Sequence, residues 1–415
     1  MPFKLYSQEV LAPRPAEFSP PPPRIVNGLP APSTNEFPST SAPQPAPTEG
    51  MAQSPSGFQK LFNLGPVQLR PHLFYRVSYG DGIQAQPGHQ SKTLVNEISP
   101  GIFLNIGSHW HLDYTPTLRY YSSKDFRDTL DHAASLHWGT AYQDWTMEAS
   151  QSYVSSSTPL AETGSQTDQE TYSTVFNAVY QLNSKFSLDA SANQNFRFVG
   201  QSANSNELSD SKTWSTTEGF NYAVQPHFSI GLSAGFSYDY VSVGSDMMSE
   251  QLQARVNWHP GTKLTFSFSG GFEDRQFLDS NQSDSINPIF NLSSTYHIFD
   301  GTTFTLTGSR IVSPSYFHNQ VTEEVGFTAG VSQRLLEKLY LDVSGGFGTT
   351  SYHATAATLS VNREDDHANI NVRLSCPFLT RGTAAVFYDW TDHTSNQNGF
   401  EYTSNQVGLE LGYRF

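Results

Sequence analysis

From Pro66 onward, apolar and polar residues alternate with a period of two, segment after segment. Residues 228–240 put Phe228, Ile230, Leu232, Ala234, Phe236, Tyr238 and Tyr240 on one face, with Ser, Gly and Asp between them. Residues 264–275 repeat the arrangement, with Leu264, Phe266, Phe268 and Phe272 against Thr265, Ser267, Ser269, Glu273 and Arg275. Successive side chains of a strand point to opposite faces, so this alternation predicts strands with one apolar and one polar face; a helix needs a period of 3.6. Eighteen segments are predicted, beginning near residues 66, 94, 109, 129, 144, 170, 185, 212, 227, 249, 262, 287, 302, 320, 338, 366, 382 and 402.

The connections alternate in length. Short ones are turn-like, as at Gly107-Ser108, Asn183-Ser184, Gln225-Pro226, Pro260-Gly261, Asp300-Gly301 and Glu337-Lys338. Long ones, over 80–92, 157–169, 199–211, 278–286 and 353–365, carry Gly, Ser, Asn, Asp and Gln. An array of hairpins with short turns at one end and long loops at the other is the signature of a transmembrane barrel. Trp110, Trp138, Trp145, Phe186, Tyr222, Phe228, Trp258, Tyr296 and Phe304 sit beside the short turns. Tyr79, Tyr120, Tyr153, Phe198, Tyr238, Tyr240 and Trp390 sit toward the long loops. Two aromatic girdles suit the two interfaces of a bilayer. The predicted fold is all-β: a closed antiparallel transmembrane β-barrel of about 18 strands over 66–415.

Composition then explains itself. Charged residues are 15% of the chain, against roughly 25% in soluble domains, yet apolar residues reach only 37%. Alternation reconciles the two, because the apolar half faces lipid and the uncharged polar half faces water. No window approaches the about 20 consecutive apolar residues of a membrane helix. The net charge of −15 argues against a nucleic-acid partner. A single cysteine, Cys376, excludes an internal disulfide or a multi-thiolate metal site, and it falls on an apolar face. Of 25 prolines, 14 lie within residues 1–60, so residues 1–65 are read as a disordered proline-rich tail or linker. Met1 to Leu11 lacks the apolar core of an export leader. We therefore expect the natural start upstream of Met1.

The chain ends Val407, Leu409, Leu411, Tyr413, Phe415, alternating with Gly408, Glu410, Gly412 and Arg414. A terminal Phe, an aromatic two residues earlier and apolar residues at alternate positions before it resemble the C-terminal assembly signal of bacterial outer-membrane barrels, carried here by Leu409, Leu411, Tyr413 and Phe415. Residues 66–415 as a whole resemble the beta-barrel porin type 2 proteins of Gram-negative bacteria, in hairpin pattern and size. The resemblance implies insertion by the barrel-assembly machinery, contact with outer-membrane lipid and lipopolysaccharide, and a periplasmic tail and C-terminus. It also implies passive diffusion of small polar solutes, with no cofactor; homo-oligomers are common among porins, but no interface in this sequence demands one. The tail is too short for a TonB-dependent plug. The 157–169 loop is short for a porin constriction loop and lacks the acidic-aromatic-glycine motif.

Residues between the apolar positions would line the pore: Arg70, Arg76, Arg119, Arg197, Arg255, Arg275, Arg373, Asp113, Asp189, Asp342 and Asp389, with Glu97, Glu148 and Glu273. Opposed bases and acids could set a transverse field for polar solutes; alternatively each pairs with a neighbour along the wall. The long loops carry Glu162, Asp168, Glu170, Glu207, Asp210, Asp279, Asp284, Glu364, Asp365 and Asp366, either a cation-favouring mouth or ordinary polar loop surface. His111 and Asp113 share a face near a short turn, with His109 beside them. They are the one candidate catalytic pair, without a visible nucleophile, and His109-x-His111 is at most half a metal site. Glu218 and Arg310 fall on the lipid parity, where a strand bulge would be needed to turn them inward. The leading expectation is a non-enzymatic diffusion channel. A structural or export component of the envelope and an outer-membrane hydrolase are the alternatives.

Overall fold

The computed structural model describes residues 63–415 apart from 201–207, 279, 281, 300, 337, 357–360 and 380. Nearly all of the expected tail, residues 1–62, lies outside the described residues. Eighteen wall strands are numbered here in chain order. The first six are β1 (Val67–Gln86), β2 (His89–Ile106), β3 (Trp110–Tyr121), β4 (Thr129–Tyr142), β5 (Trp145–Ser156) and β6 (Gln169–Gln181). Then come β7 (Phe186–Val199), β8 (Ser211–Gln225), β9 (Phe228–Val241), β10 (Met247–Trp258), β11 (Leu264–Phe277) and β12 (Ser285–Phe299). The last are β13 (Thr302–Pro314), β14 (Gln320–Leu335), β15 (Leu339–Ala354), β16 (Glu364–Phe378), β17 (Gly382–Ser395) and β18 (Tyr402–Arg414). Each pairs antiparallel with its sequence neighbours, and β18 also pairs with β1, from His72↔Arg414 to Asp81↔Asn405. The sheet is therefore a closed barrel, which leaves no wall strand as an edge.

The alternation dictates which face is which. On β9, Ile230, Leu232, Phe236 and Tyr240 are exposed while Ser233, Ser237 and Asp239 are buried. In water such an exposed apolar wall would drive aggregation; facing hydrocarbon, it is the favoured arrangement. Cross-strand aromatic pairs form two belts. At the short-turn end, Trp110 meets Trp138 at 6.1 Å, Trp145 meets Tyr180 at 4.7 Å and Phe186 meets Tyr222 at 5.0 Å between ring centroids. At the long-loop end, Tyr153 meets Tyr172 at 4.8 Å and Phe196 meets Trp214 at 5.1 Å.

Connection 80–92 differs from expectation. Instead of a loop, β1 and β2 run on as a ladder to a tight turn at Pro87-Gly88, with register shifts between Gly80 and Ile83 and between Gln84 and Gln86. The hairpin leans against the end of β18, where Gly82, at φ +80°, lies so close to the Thr403 carbonyl that a Cβ there would overlap it. Only glycine meets both demands.

Neither misfit residue is rescued by a bulge. Arg310 stays in an unbroken ladder, paired with Phe290 and Val325, and is neutralised by Glu323 of β14 at 2.6 Å. Glu218 is exposed in the middle of β8, between Ala190 and Ala234, also without a register shift. A carboxylate at mid-bilayer on the lipid face is unfavourable. Glu218→Leu should therefore stabilise the folded barrel in lipid by about 1–2 kcal/mol, read as a higher urea midpoint for loss of the folded form. An unchanged or lower midpoint would mean that this face does not meet hydrocarbon.

Candidate functional site

Bases and acids on the inner wall pair along the wall rather than across the lumen, the second of the two arrangements the sequence left open. Arg76 on β1 reaches Asp389 on β17 at 3.1 Å and Glu410 on β18 at 3.9 Å. Arg373 on β16 reaches the same Glu410 at 2.9 Å and Asp342 at 3.9 Å, so five charges form one chain across adjoining strands. Arg119 binds Glu97 at 2.6 Å and also Asp131. Arg255 binds Asp189 at 2.7 Å, and Arg275 binds Glu273 at 2.5 Å with Asp239 at 3.7 Å. Arg70, near the short-turn end, donates to Gln68 at 3.1 Å and has no acid partner among the described residues. Pairing along the wall, within a strand or over one to three strand spacings, cancels most of the field that either sign would project into the lumen.

Asp113 does not pair with His111. It accepts from Thr115 at 2.8 Å, whereas His111 bonds Asn105 at 2.6 Å and stacks on Phe103. His109 bonds the Gly139 carbonyl. Among the described residues, no group of three or more His, Cys, Asp or Glu is placed to hold a metal ion.

The long-loop end holds what the sequence did not point to. Segment 157–168, between β5 and β6, folds inward as a strap and carries a two-residue ladder, Pro159↔Gln166 and Leu160↔Ser165. It reaches the 315–319 connection between β13 and β14, eight strands away around a barrel of eighteen. Glu162 accepts hydrogen bonds from the Ser315 hydroxyl at 2.5 Å and the Tyr316 amide at 2.8 Å. Its own carbonyl accepts from Arg363 at 2.9 Å. Leu160, Val199, Leu208 and Tyr316 form a small apolar cluster around this contact. Tyr316 also donates to Gln169 at 2.7 Å, and its ring lies 3.9 Å under the Arg197 guanidinium. Ile83, Ala85 and Phe126 make a second cluster where the β1–β2 hairpin joins the closure.

Burial pushes the Glu162 carboxyl above its ordinary range, against the lowering pull of Ser315, Arg197, the Tyr316 amide and Arg363. Two further loop acids are committed rather than free at the mouth. Asp168 pairs with Arg127, and Asp365 is clamped by Arg363 at 2.6 Å. Glu207 and Asp279 lie outside the described residues. The 157–169 connection, short beside a general-porin constriction loop, nevertheless turns inward: Glu162 and the Leu160 cluster hold its tip against the far wall. An apolar Leu160 in a polar loop, and the Tyr316-Phe317 pair in another, were the sequence signals, since loop residues of that kind need somewhere to bury.

Beneath the strap, in the loop-side half of the lumen, lies a cavity of about 310 Å³ walled by β6–β13 and roofed by Pro314 and Tyr316.

No family model and no curated protein matches the chain. Solved structures similar to it include Pseudomonas aeruginosa OpdO, at 11% identity over 84% of this chain and 97% of that one, with a TM-score of 0.44. Pseudomonas aeruginosa OprD is similar at 12% identity over 84% and 95%, TM-score 0.42. The siderophore receptor PirA of Acinetobacter baumannii is similar at 8% over 84% and 80%, TM-score 0.43. At such scores the likeness adds nothing to the fold, which rests on the chain's own unbroken ladder.

Proposed function

We propose that the protein is a porin-like channel of the bacterial outer membrane, passing small polar solutes by passive diffusion. The observation that carries this reading is a closed wall of eighteen strands, apolar outside and polar inside, around a lumen that keeps an internal cavity. A barrel of this strand number is too wide for its own side chains to fill. Selectivity then comes from the strap, the cavity wall and the paired charges rather than from bond chemistry. The described start of β1 and the end of β18 lie at the short-turn end, and we assign that end to the periplasm. Leu409 and Leu411 face outward with Phe415, and the Tyr413 ring packs edge-on against Phe415 at 4.8 Å. That placement suits recognition by the barrel-assembly machinery. Membership of the beta-barrel porin type 2 family, contact with lipopolysaccharide and a homo-oligomeric state belong to the same proposal.

The test is single-channel recording of the refolded chain in a planar bilayer with potassium chloride. Discrete open-pore steps are the expected result. An inserted, heat-modifiable barrel without steps would overturn the channel and favour a structural role in the envelope.

A further inference from the structure

We infer that the cavity under Tyr316 is a binding site for a neutral polyhydroxylated solute of mono- to disaccharide size. The inference rests on the channel reading and names what the channel selects.

The first observation is what the wall offers. Seventeen of the 29 residues lining the cavity are Ser, Thr, Asn or Gln. Hydroxyls and amides both donate and accept, as the hydroxyls of a saccharide do, so each solute hydroxyl finds a partner without any charge being transferred from water. Asn177, Asn195 and Asn291 stand on three different strands of this wall. Among the described residues none of their side chains makes a hydrogen bond.

The second observation is what the wall withholds. Every charged lining residue already has at least one partner, and the Arg197 Nε, which has no hydrogen bond, is buried away from the cavity surface. Arg275 is held between Glu273 and Asp239, and Thr213 donates to Asp239 at 2.5 Å. Arg197 gives two hydrogen bonds, at 3.1 and 2.7 Å, to the carbonyls of Pro314 and Ser315 and lays its face on Tyr316. Arg310 is paired with Glu323. A carboxylate or ammonium solute would have to displace one of these partners and leave it unpaired, at a cost a neutral solute avoids.

The third is size and grip. About 310 Å³ is at the small end of ligand sites. The one ring in the roof, Tyr316, already carries a guanidinium, so stacking adds little, and contacts to Val175, Ile289 and Ile311 are modest. Binding should be weak and exit fast, as a conducting site requires.

The experiment uses the full chain in a planar bilayer in potassium chloride. Methyl glucoside, glucuronate and glucosamine share one ring and differ in charge; sucrose tests size. The neutral methyl glucoside and sucrose should lower the open-channel current at concentrations about tenfold below those needed for either charged sugar. Asn195→Leu with Asn291→Leu should raise the half-blocking sucrose concentration about tenfold, while Asn195→Gln should hold it within about twofold. Equal or stronger block by glucuronate or glucosamine, or no change in the double variant, would overturn the inference. Channel steps in salt with no sucrose block would overturn it and leave the channel standing. Absence of any steps would overturn both.

Discussion

Replacing residues 157–168 with an Asn-Gly turn raises single-channel conductance severalfold. Ser156 and Gln169 are paired partners at the loop ends of β5 and β6, so a two-residue turn closes the hairpin without disturbing the wall. What goes is the strap, with Glu162 and its hold on Ser315 and Tyr316. The intact strap should also respond to pH. Burial raises the docked Glu162 carboxyl, so the docked strap takes up a proton more readily than a free one. Docking is therefore strongest below the ordinary carboxylate value of about 4.3 and weakens as pH rises through the raised value. The charged groups pulling against that rise are Arg197 and Arg363. The native channel should conduct less at the acid end of a pH series, and Glu162→Gln should flatten the profile. A strapless variant of native conductance, or a native channel that opens on acidification, would refute the assignment.

Arg363→Met carries the largest expected loss of stability. The Arg363 side chain is 5% exposed and that of Asp365 0% exposed, at 2.6 Å. The guanidinium also lies 3.7 Å from the Phe400 ring centroid and 4.4 Å from that of Tyr352, while donating to the Glu162 carbonyl. Removing one member of a buried ion pair leaves the other charge without its partner in a poor solvent, a loss of about 3–5 kcal/mol. The remaining partners of Asp365 are the hydroxyls of Tyr352 at 3.2 Å and Ser395 at 2.6 Å and the imidazole of His393, 3.3 Å away, none of them a permanent charge. The loss should appear at the loop end, as protease cleavage within 157–168 and 396–401 under conditions where the native barrel resists. Arg363→Met combined with Asp365→Leu should recover most of that resistance, because no unpaired charge is left buried. Equal sensitivity of the single and double variants would show that packing on Phe400, not charge, is what the arginine contributes.

The wall was legible in the sequence because its signal is local. All eighteen strands start within five residues of their expected positions; β2 is the furthest off, at His89 rather than 94. That error has a physical source. Beyond the bilayer no lipid selects apolar residues on alternate positions, so the outer ends of β1 and β2 keep the ladder without the pattern. Pro87-Gly88 and the surrounding Gln and Asp then read as loop. The interior was less legible because its partners are remote. Arg76 and Asp389 are 313 residues apart, and only closure brings them together. Glu162 resembles any other loop acid until the strap is seen to cross the mouth. Most acids and bases share the polar parity, but parity does not say which of them become neighbours.

The β1–β18 seam sets a problem for the chain's assembly. Its ten residue pairs join segments more than 300 positions apart, whereas every other wall contact is a hairpin or a near neighbour. The entropy of bringing such distant ends together is recovered only when the ladder zips, so the seam is expected to form last and slowly. Until then β1 and β18 are bare edges that another copy could capture. Arg76, bonded across the join to Glu410 and beyond it to Asp389, acts as a clasp that favours the chain's own end over a stranger's.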